Sequence, residues 1–450
     1  MKTHRTAPPR RHLLRFDVIA MACTAAFCHS APAQSLSALY ASARVYDAAY
    51  LSAKAQYDAN LAKAEQAKAG IYPTANLSAG VSRTNLEVTP PKTERSFGNQ
   101  NATVSANQPL YRPANWATYE QGKKQVDLAQ ATLTTAEQDV IVRLSQAYFD
   151  VLASQDSLAF VKAQKAAVAE QLASAKRNFE VGTSTITDTR EAQARFDLVI
   201  AQEIAADNDL RVKKLALDIL VGKTGTEPRP VALPLNLPPL TPSDINQWVL
   251  QAEDQHPSIQ SARIALDVAK LETTKAEAGN KPTLDATASY NISRNDGGSA
   301  TSGATTRSNA ATIGLALNYP LFAGFAIQNR VKETLSLEEK ARNDLEGARR
   351  SIGQATRTAY LGVVSGQGQV KALEAAEASS QSALDANKLG YQVGVRINID
   401  VLNSQSQLFQ TKRDLAKARY DVLVGGLKLR QANGTLKPED LDAVNALLAK

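Results

Sequence analysis

The sequence predicts a mainly α-helical chain with transmembrane β-strands. Three copies would form a twelve-stranded outer membrane β-barrel continued by a twelve-helix periplasmic α-barrel, each chain an internal two-fold repeat. Three observations lead there. Phrases recur about 210 positions apart, as in FEVGTSTITD at 179–188 and YQVGVRINID at 391–400. Apolar residues keep a heptad spacing over many turns. Four stretches, two per half, alternate apolar and polar residues.

Composition favours long helices over a compact core. The 450 residues are 44% hydrophobic but only 6% aromatic, and Ala, Gln, Lys and Glu are abundant, as in rods packed through small residues.

The chain opens on a targeting segment. Arg5, Arg10, Arg11 and Arg15 precede an apolar run from Val18 to Phe27, and Ala31-Pro32-Ala33 offers a small-residue cleavage site. Residues 1–33 therefore read as a signal peptide, its apolar run too short to span a bilayer as a helix. A second reading places a lipid on Cys23 after AMA. Cleavage removes Cys23, Cys28 and three of the four histidines, so the exported chain has no thiol to pair. It also removes five Lys/Arg and one Asp, lowering the formal charge from +7 to +3. Basicity therefore gives no argument for nucleic acid.

Residues 34–222 form the first repeat, with a helix, two strands, a long helix and a returning helix. Residues 244–450 repeat that order. YPTANLSAGVS near Tyr72 answers KPTLDATASYN near Lys281, QPLYRPAN answers YPLFAGFA, and AYFDVL answers AYLGVV. Residues 223–243 hold six of the 18 prolines and read as an extended connector. Its GKT has Leu217 where a phosphate-cradling loop needs glycine.

The helices come from periodicity. Positions 144, 147, 151, 154, 158, 161, 165, 168, 172, 175 and 179 step by four and three and are apolar except Ser154 and Lys165. The second half repeats this from Ile352 through Val363, Val370, Leu373 and Leu384 to Tyr391. Val401, Leu408, Leu415, Val422 and Leu429 mark a returning helix. With no proline between Pro113 and Phe179, the first rod predicts about 65 residues and about 100 Å. The shorter helices, 36–70 with 186–222 and 244–279 with 397–433, stack end to end to match it.

The strands come from alternation. Leu284, Ala286, Ala288, Tyr290 and Ile292 share one face, as do Ile313, Leu315, Leu317 and Tyr319; Leu77, Ala79 and Val81, then Ala102, Val104 and Ala106, follow in the first half. Polar loops at 85–99 and 294–309, containing Ser96 and Ser302, join each pair and would face the cell exterior. A soluble hairpin lying on a helix fits this pattern as well as a barrel does. Stoichiometry separates the two, because four strands cannot close and an open edge cannot face lipid. Three chains supply twelve strands and four helical rods each.

At this point the sequence resembles the TolC family of outer membrane channel-tunnels, over residues 36–450. The most specific stretch is YQVGVRINIDVLNSQSQLFQTKRDLAKARYDVL from Tyr391, followed by LRQANGTLKPEDLDAVNALL. The resemblance implies a homotrimeric passive duct, bounded by outer membrane lipid. It would dock through a periplasmic adaptor onto an inner-membrane ABC or RND pump. The GTLKPEDLDAVNALL ending looks more like members serving type I protein secretion than multidrug efflux members.

The repeated phrase lies at a helix reversal. Gly182 and Gly394 permit a left-handed turn that a Cβ resists, so a turn alone explains them. The resemblance adds adaptor contact for tip residues Val181, Gly182, Thr183, Val393, Gly394 and Val395. It also implies a closed periplasmic constriction, with Asp188, Tyr391 and Arg396 at the matching positions. Three Asp400 carboxylates would form a cation-favouring ring there. Asn403 stands where the family pattern has a second acid one turn on. Solvated charges at a helix end are the plainer reading of these four.

The remaining candidates are modest. His256, the only mature histidine, precedes Pro257 and reads as structural rather than as a metal ligand. Tyr111 and Trp116 fit either an interfacial anchor or local packing. One histidine and no thiol allow no Ser/His/Asp or Cys/His set, so an enzyme is not expected, and no cofactor is called for. An exported trimeric coiled-coil stalk or adhesin is the alternative from another class.

Overall fold

The computed structural model describes residues 34–232, 234–235, 237–299 and 302–449; the signal peptide and Cys23 fall outside them. In the first half α1 (Leu36–Tyr46) and α2 (Ala48–Lys68) lead into β1 (Thr74–Val88) and β2 (Thr93–Tyr111). Then α3 (Pro113–Glu180) runs out and α4 (Ile186–Val221) returns. The second half repeats the order with α5 (Ile245–Gln255), α6 (Pro257–Glu277), β3 (Thr283–Asp296), β4 (Thr306–Asn318), α7 (Ala326–Gln392) and α8 (Asn398–Ala432). A short α9 (Asp440–Asn445) follows.

The rods are as long as their spacing predicts. α3 has 68 residues and α7 has 67, each about 100 Å at ~1.5 Å per residue. Leu144, Val151, Ser154, Leu158, Val161, Val168, Leu172 and Ala175 of the α3 seam are buried, with Ala147 and Lys165 half-buried. Both polar members are satisfied across the seam. Ser154 donates to Asp209 at 2.8 Å, and Lys165 pairs with Glu203 at 2.7 Å. Phe179 departs from expectation and is exposed, one residue before α3 ends at the tip.

Shorter helices stack in line beside the rods. α2 and α4 pack along α3, while α6 and α8 pack between α3 and α7. The expected single helices over 36–70 and 244–279 are each broken in two. At Asp47 the carboxylate caps Tyr50 N–H at 2.8 Å and the backbone turns extended. At His256 the following Pro257 excludes helical geometry. Each returning helix abuts one of these breaks. Gly222, at φ 70°, packs on the Tyr46 ring, and Gly434, at φ 78°, packs on the His256 backbone, with no room for a Cβ at either.

The strands form one antiparallel sheet in the order β1-β2-β3-β4. Register puts Leu77 opposite Val104, Val104 opposite Tyr290, and Ala288 opposite Ile313, so the predicted apolar residues share a face. The other face carries cross-strand polar bonds, Asn291 to Thr103 at 2.6 Å and Asn99 to Asn295 at 2.6 Å. Neither face is covered within the chain; Leu77, Val81, Ile313 and Leu315 are at least 71% exposed. The strands run longer than about ten residues. Their joins shrink to 89–92 and 297–305 instead of 85–99 and 294–309, and Ser96 stands in β2. Polar pairing beyond the apolar band explains the extension. Arg83 donates to Ser96 at 3.2 Å, and Lys92 bridges Glu87 and Glu94.

The largest core lies where both ends of the described chain meet the connector. Leu36, Leu39, Ile141, Leu144, Tyr148, Phe149, Leu217 and Leu441 are buried there, each large apolar side chain contributing about 1.5–3 kcal/mol by burial. The connector is extended, as its prolines require. Gln34 bridges Pro228 and Val231 bridges Leu448, and the Tyr148 hydroxyl donates to the Arg229 carbonyl at 2.9 Å.

Candidate functional site

The two hairpin tips close with the same backbone device. At the end of α3, Gly182 N–H donates to Phe179 O at 3.0 Å and Thr183 N–H to Asn178 O at 2.8 Å. At the end of α7, Gly394 N–H donates to Tyr391 O at 3.2 Å and Val395 N–H to Gly390 O at 2.9 Å. Both are Schellman caps with glycine in the left-handed position, φ 79° and 78°. A Cβ at either glycine would meet nothing. The need for glycine is therefore conformational, and Val181, Val393 and Val395 stand exposed around it at 65% or more.

The returning helices start differently. Thr185 caps α4 in a reciprocal box with Asp188, whose Oδ2 accepts from Thr185 N–H at 3.0 Å and from the Ser184 and Thr185 hydroxyls at 2.8 Å. Partial burial pushes the Asp188 pKa up, but these bonds outweigh it and hold it below the usual carboxylate value. Asp188 is thus engaged by its own turn and makes no bond to Tyr391 or Arg396. α8 has Ile397 at the cap position and no side-chain cap. Arg396 lies 3.7 Å from Asp400 one turn on, with Arg396 exposed and Asp400 half-buried, a pairing of modest strength.

Tyr391 reaches the other tip, its hydroxyl accepting from Asn178 Nδ2 at 3.3 Å. The strongest link was absent from the sequence reading. Asn398 is fully buried; its Nδ2 donates to Asp188 O at 3.1 Å and its Oδ1 accepts from Gln171 Nε2 at 2.5 Å. Its repeat counterpart, Ile186, is apolar yet 48% exposed. The sequence shows only that Asn398 and Ile186 differ in polarity at matching positions of the repeat; which of them is buried follows from the packed helices. Above this pair Arg195 donates to Asn403 at 2.8 Å and joins α4 to α8. Asn403 therefore accepts a bond where a second acid was looked for. His256 accepts from Ser258 N–H at 3.1 Å through Nδ1 and caps α6. Tyr111 and Trp116 are exposed at the base of the sheet.

The arrangement pairs a sheet with two unpaired edges and long rods ending in capped tips, and comparison with known proteins gives its family. The sequence matches the outer membrane efflux protein family over residues 39–223 and 248–435. The chain belongs to that family. It is an outer membrane channel for export, with its helical part in the periplasm. It is 33% identical to outer membrane protein TolC of Vibrio cholerae, over 92% of this chain and 94% of that protein. It is 30% identical to the alkaline protease secretion protein AprF of Pseudomonas aeruginosa, over 79% of this chain and 74% of that protein. Among solved structures, the Campylobacter jejuni CmeC outer membrane channel superposes with a TM-score of 0.76 at 16% identity, covering 92% of this chain and 90% of that one.

Proposed function

We propose that three copies share one twelve-stranded barrel and form a passive duct. The duct would receive cargo from an inner-membrane ABC or RND pump through a periplasmic adaptor. One observation carries this reading. Among the described residues the four-stranded sheet ends in unpaired β1 and β4 edges and leaves an apolar face uncovered, and lipid tolerates such edges only when neighbouring copies close them. The outer flanks of the rods agree, since α4 exposes Ile204, Leu215 and Ile219 and α7 exposes Leu335 and Leu361.

Type I protein secretion is the favoured service, supported by the likeness to AprF, a protease secretion protein by name. Small-molecule efflux is the second reading, supported by the family description. Within the duct, Val181, Gly182, Thr183, Val393, Gly394 and Val395 form the adaptor-facing tips. Asp188, Tyr391, Arg396 and Asp400 surround the periplasmic constriction, Asp188 through its backbone link to Asn398. Detergent-extracted protein should run as a trimer and give stepwise conductance in planar bilayers. A water-soluble periplasmic monomer would overturn the proposal.

A further inference from the structure

Within the strands, charge gathers on the apolar side of the sheet. The face rich in Asn, Ser and Thr holds two charged residues, Arg95 near the first hairpin turn and Asp285, which Arg112 engages at the helical end. The face that carries Leu77, Val104, Tyr290 and Ile313 holds Arg83, Glu87, Glu94, Arg294, Asp296 and Arg307, every one beyond the apolar band toward the hairpin turns.

Spacing sets where these charges lie. Ten positions separate Leu317 from Arg307 on β4, and ten separate Leu284 from Arg294 on β3. At ~3.4 Å per residue and a barrel tilt of about 40°, that spans about 26 Å along the membrane normal, the height of a lipid-facing band. The helices α6 and α7 join the sheet at the Leu284 and Leu317 end and belong to the periplasmic part, so the arginines lie at the outer leaflet.

Arg294 stands directly opposite Arg307 across the β3–β4 ladder, and like charges so placed destabilise a sheet. Arg294 Nε lies 2.7 Å from Asp296 Oδ1, but the exposed Arg307 guanidinium has no partner among the described residues. Arg83 lies on the same face of β1, its Nε 3.2 Å from the Ser96 hydroxyl, and Gly98 opposite it leaves no side chain between β1 and β3 on that row. Glu87 and Glu94 lie farther out and share Lys92. Three arginines thus meet one acid, Asp296, at the rim of the apolar band.

We propose that this rim binds the phosphate groups of lipopolysaccharide, the phosphorylated glycolipid of the outer leaflet, with Arg294 and Arg307 holding one phosphate between them and Arg83 reaching a second. A phosphate between the facing guanidinium groups replaces their repulsion with charge-assisted hydrogen bonds, for which the planar fork of arginine is shaped. The apolar band below takes the acyl chains of the same lipid. The inference rests on the barrel reading above, which turns this face to lipid.

Purified lipopolysaccharide tests the rim on the full-length exported protein, isolated as a detergent-solubilised trimer and separated from free lipid by gel filtration. Arg294→Gln with Arg307→Gln should retain roughly tenfold less lipid than the unaltered trimer, since each arginine near an anionic surface is worth several-fold in binding. Arg95→Gln, which removes a charge from the opposite face, should retain as much lipid as the unaltered trimer. Phosphatase-treated lipopolysaccharide should bind the unaltered trimer as poorly as the intact lipid binds the double variant. Equal retention by the double variant and the unaltered trimer would overturn this proposal alone. Inorganic phosphate equimolar with the lipid should leave it in place; displacement would assign the site to a free anion and overturn the lipid assignment. Before lipid is added, the double variant should melt no lower than the unaltered trimer, because the facing arginines repel; a lower temperature would make the pair a structural contact and overturn the proposal. Protein that yields only water-soluble monomer would overturn the barrel reading, and this proposal with it.

Discussion

Asn398 donates from Nδ2 to the main-chain oxygen of Asp188 at 3.1 Å, so a fully buried amide joins the returning helices of the two repeats. Gln171 completes the link from α3. Asn398→Leu keeps the branched heavy-atom shape and removes both bonds, leaving the Asp188 carbonyl and the Gln171 amide without partners, at about 1–3 kcal/mol for each buried group. Hydrogen exchange of residues 181–188 should accelerate roughly tenfold or more, a tenfold change being about 1.4 kcal/mol. Exchange at the native rate would mean that the link is idle.

Gly182 and Gly394 separate conformation from contact. Both hold φ near +79° with open space around them. Asn tolerates that region, whereas Val strains it by about 1–2 kcal/mol. Gly182→Asn and Gly394→Asn should therefore leave trimers at native heat stability, and the Val variants should lower it. Export assayed alongside then reads the adaptor role. Export lost in a stable Asn variant marks a contact, and export retained limits these glycines to the turn.

His256 should make the protein acid-sensitive. Its Nδ1 caps α6 only when the ring is neutral, and burial lowers its pKa. The unfolded chain then takes up the proton first. The cap's contribution is complete above about pH 6.5 and declines as pH falls toward the lower folded value. Melting of detergent-solubilised trimer between pH 8 and 5 should show this loss. His256→Asn, a non-titrating cap, should remove that part of the slope; an unaltered slope would assign it to other groups.

The mouth yields a paired test. Arg396→Ser combined with Tyr391→Phe should raise single-channel conductance, and Asp400→Ala should reduce cation preference. Within one chain these side chains hold little, a partly exposed ion pair at 3.7 Å and a 3.3 Å hydroxyl bond, each worth about 1 kcal/mol or less. A conductance change would therefore report contacts between copies. No change would remove the constriction assignment.

The rods were legible because a long heptad seam without proline favours one continuous helix, and the strands because apolar and polar residues alternate, clearly in the second half and more weakly in the first. Ends were less legible. Glu94 and Ser96 fall in the stretch expected to be loop, yet they stand in β2, where Ser96 accepts from Arg83 and Glu94 pairs with Lys92 of the turn. The two broken helices show the same limit. Pro257 announces one break, but Asp47 makes the other with a carboxylate that reads equally well inside a helix. At the tips, the glycine turns followed from the repeated phrase. Asp188 was placed at the constriction by family resemblance alone, while the hydroxyls of Ser184 and Thr185 that engage it depend on turn geometry. Asn398 needed three helices in place before its burial could be seen.

Both ends of the described chain lie on one short segment of the connector. Gln34 N–H donates to Glu227 O at 2.7 Å, and Ala449 N–H to Pro230 O at 2.8 Å. The fold is consequently close to a closed loop cut at an arbitrary place. A few flexible residues could join those ends, and the chain could be reopened at the tight join of residues 89–92 by circular permutation, since exposed turns accept new termini. The two halves would then be held together by a second covalent crossing beside the connector, without altering any strand or rod.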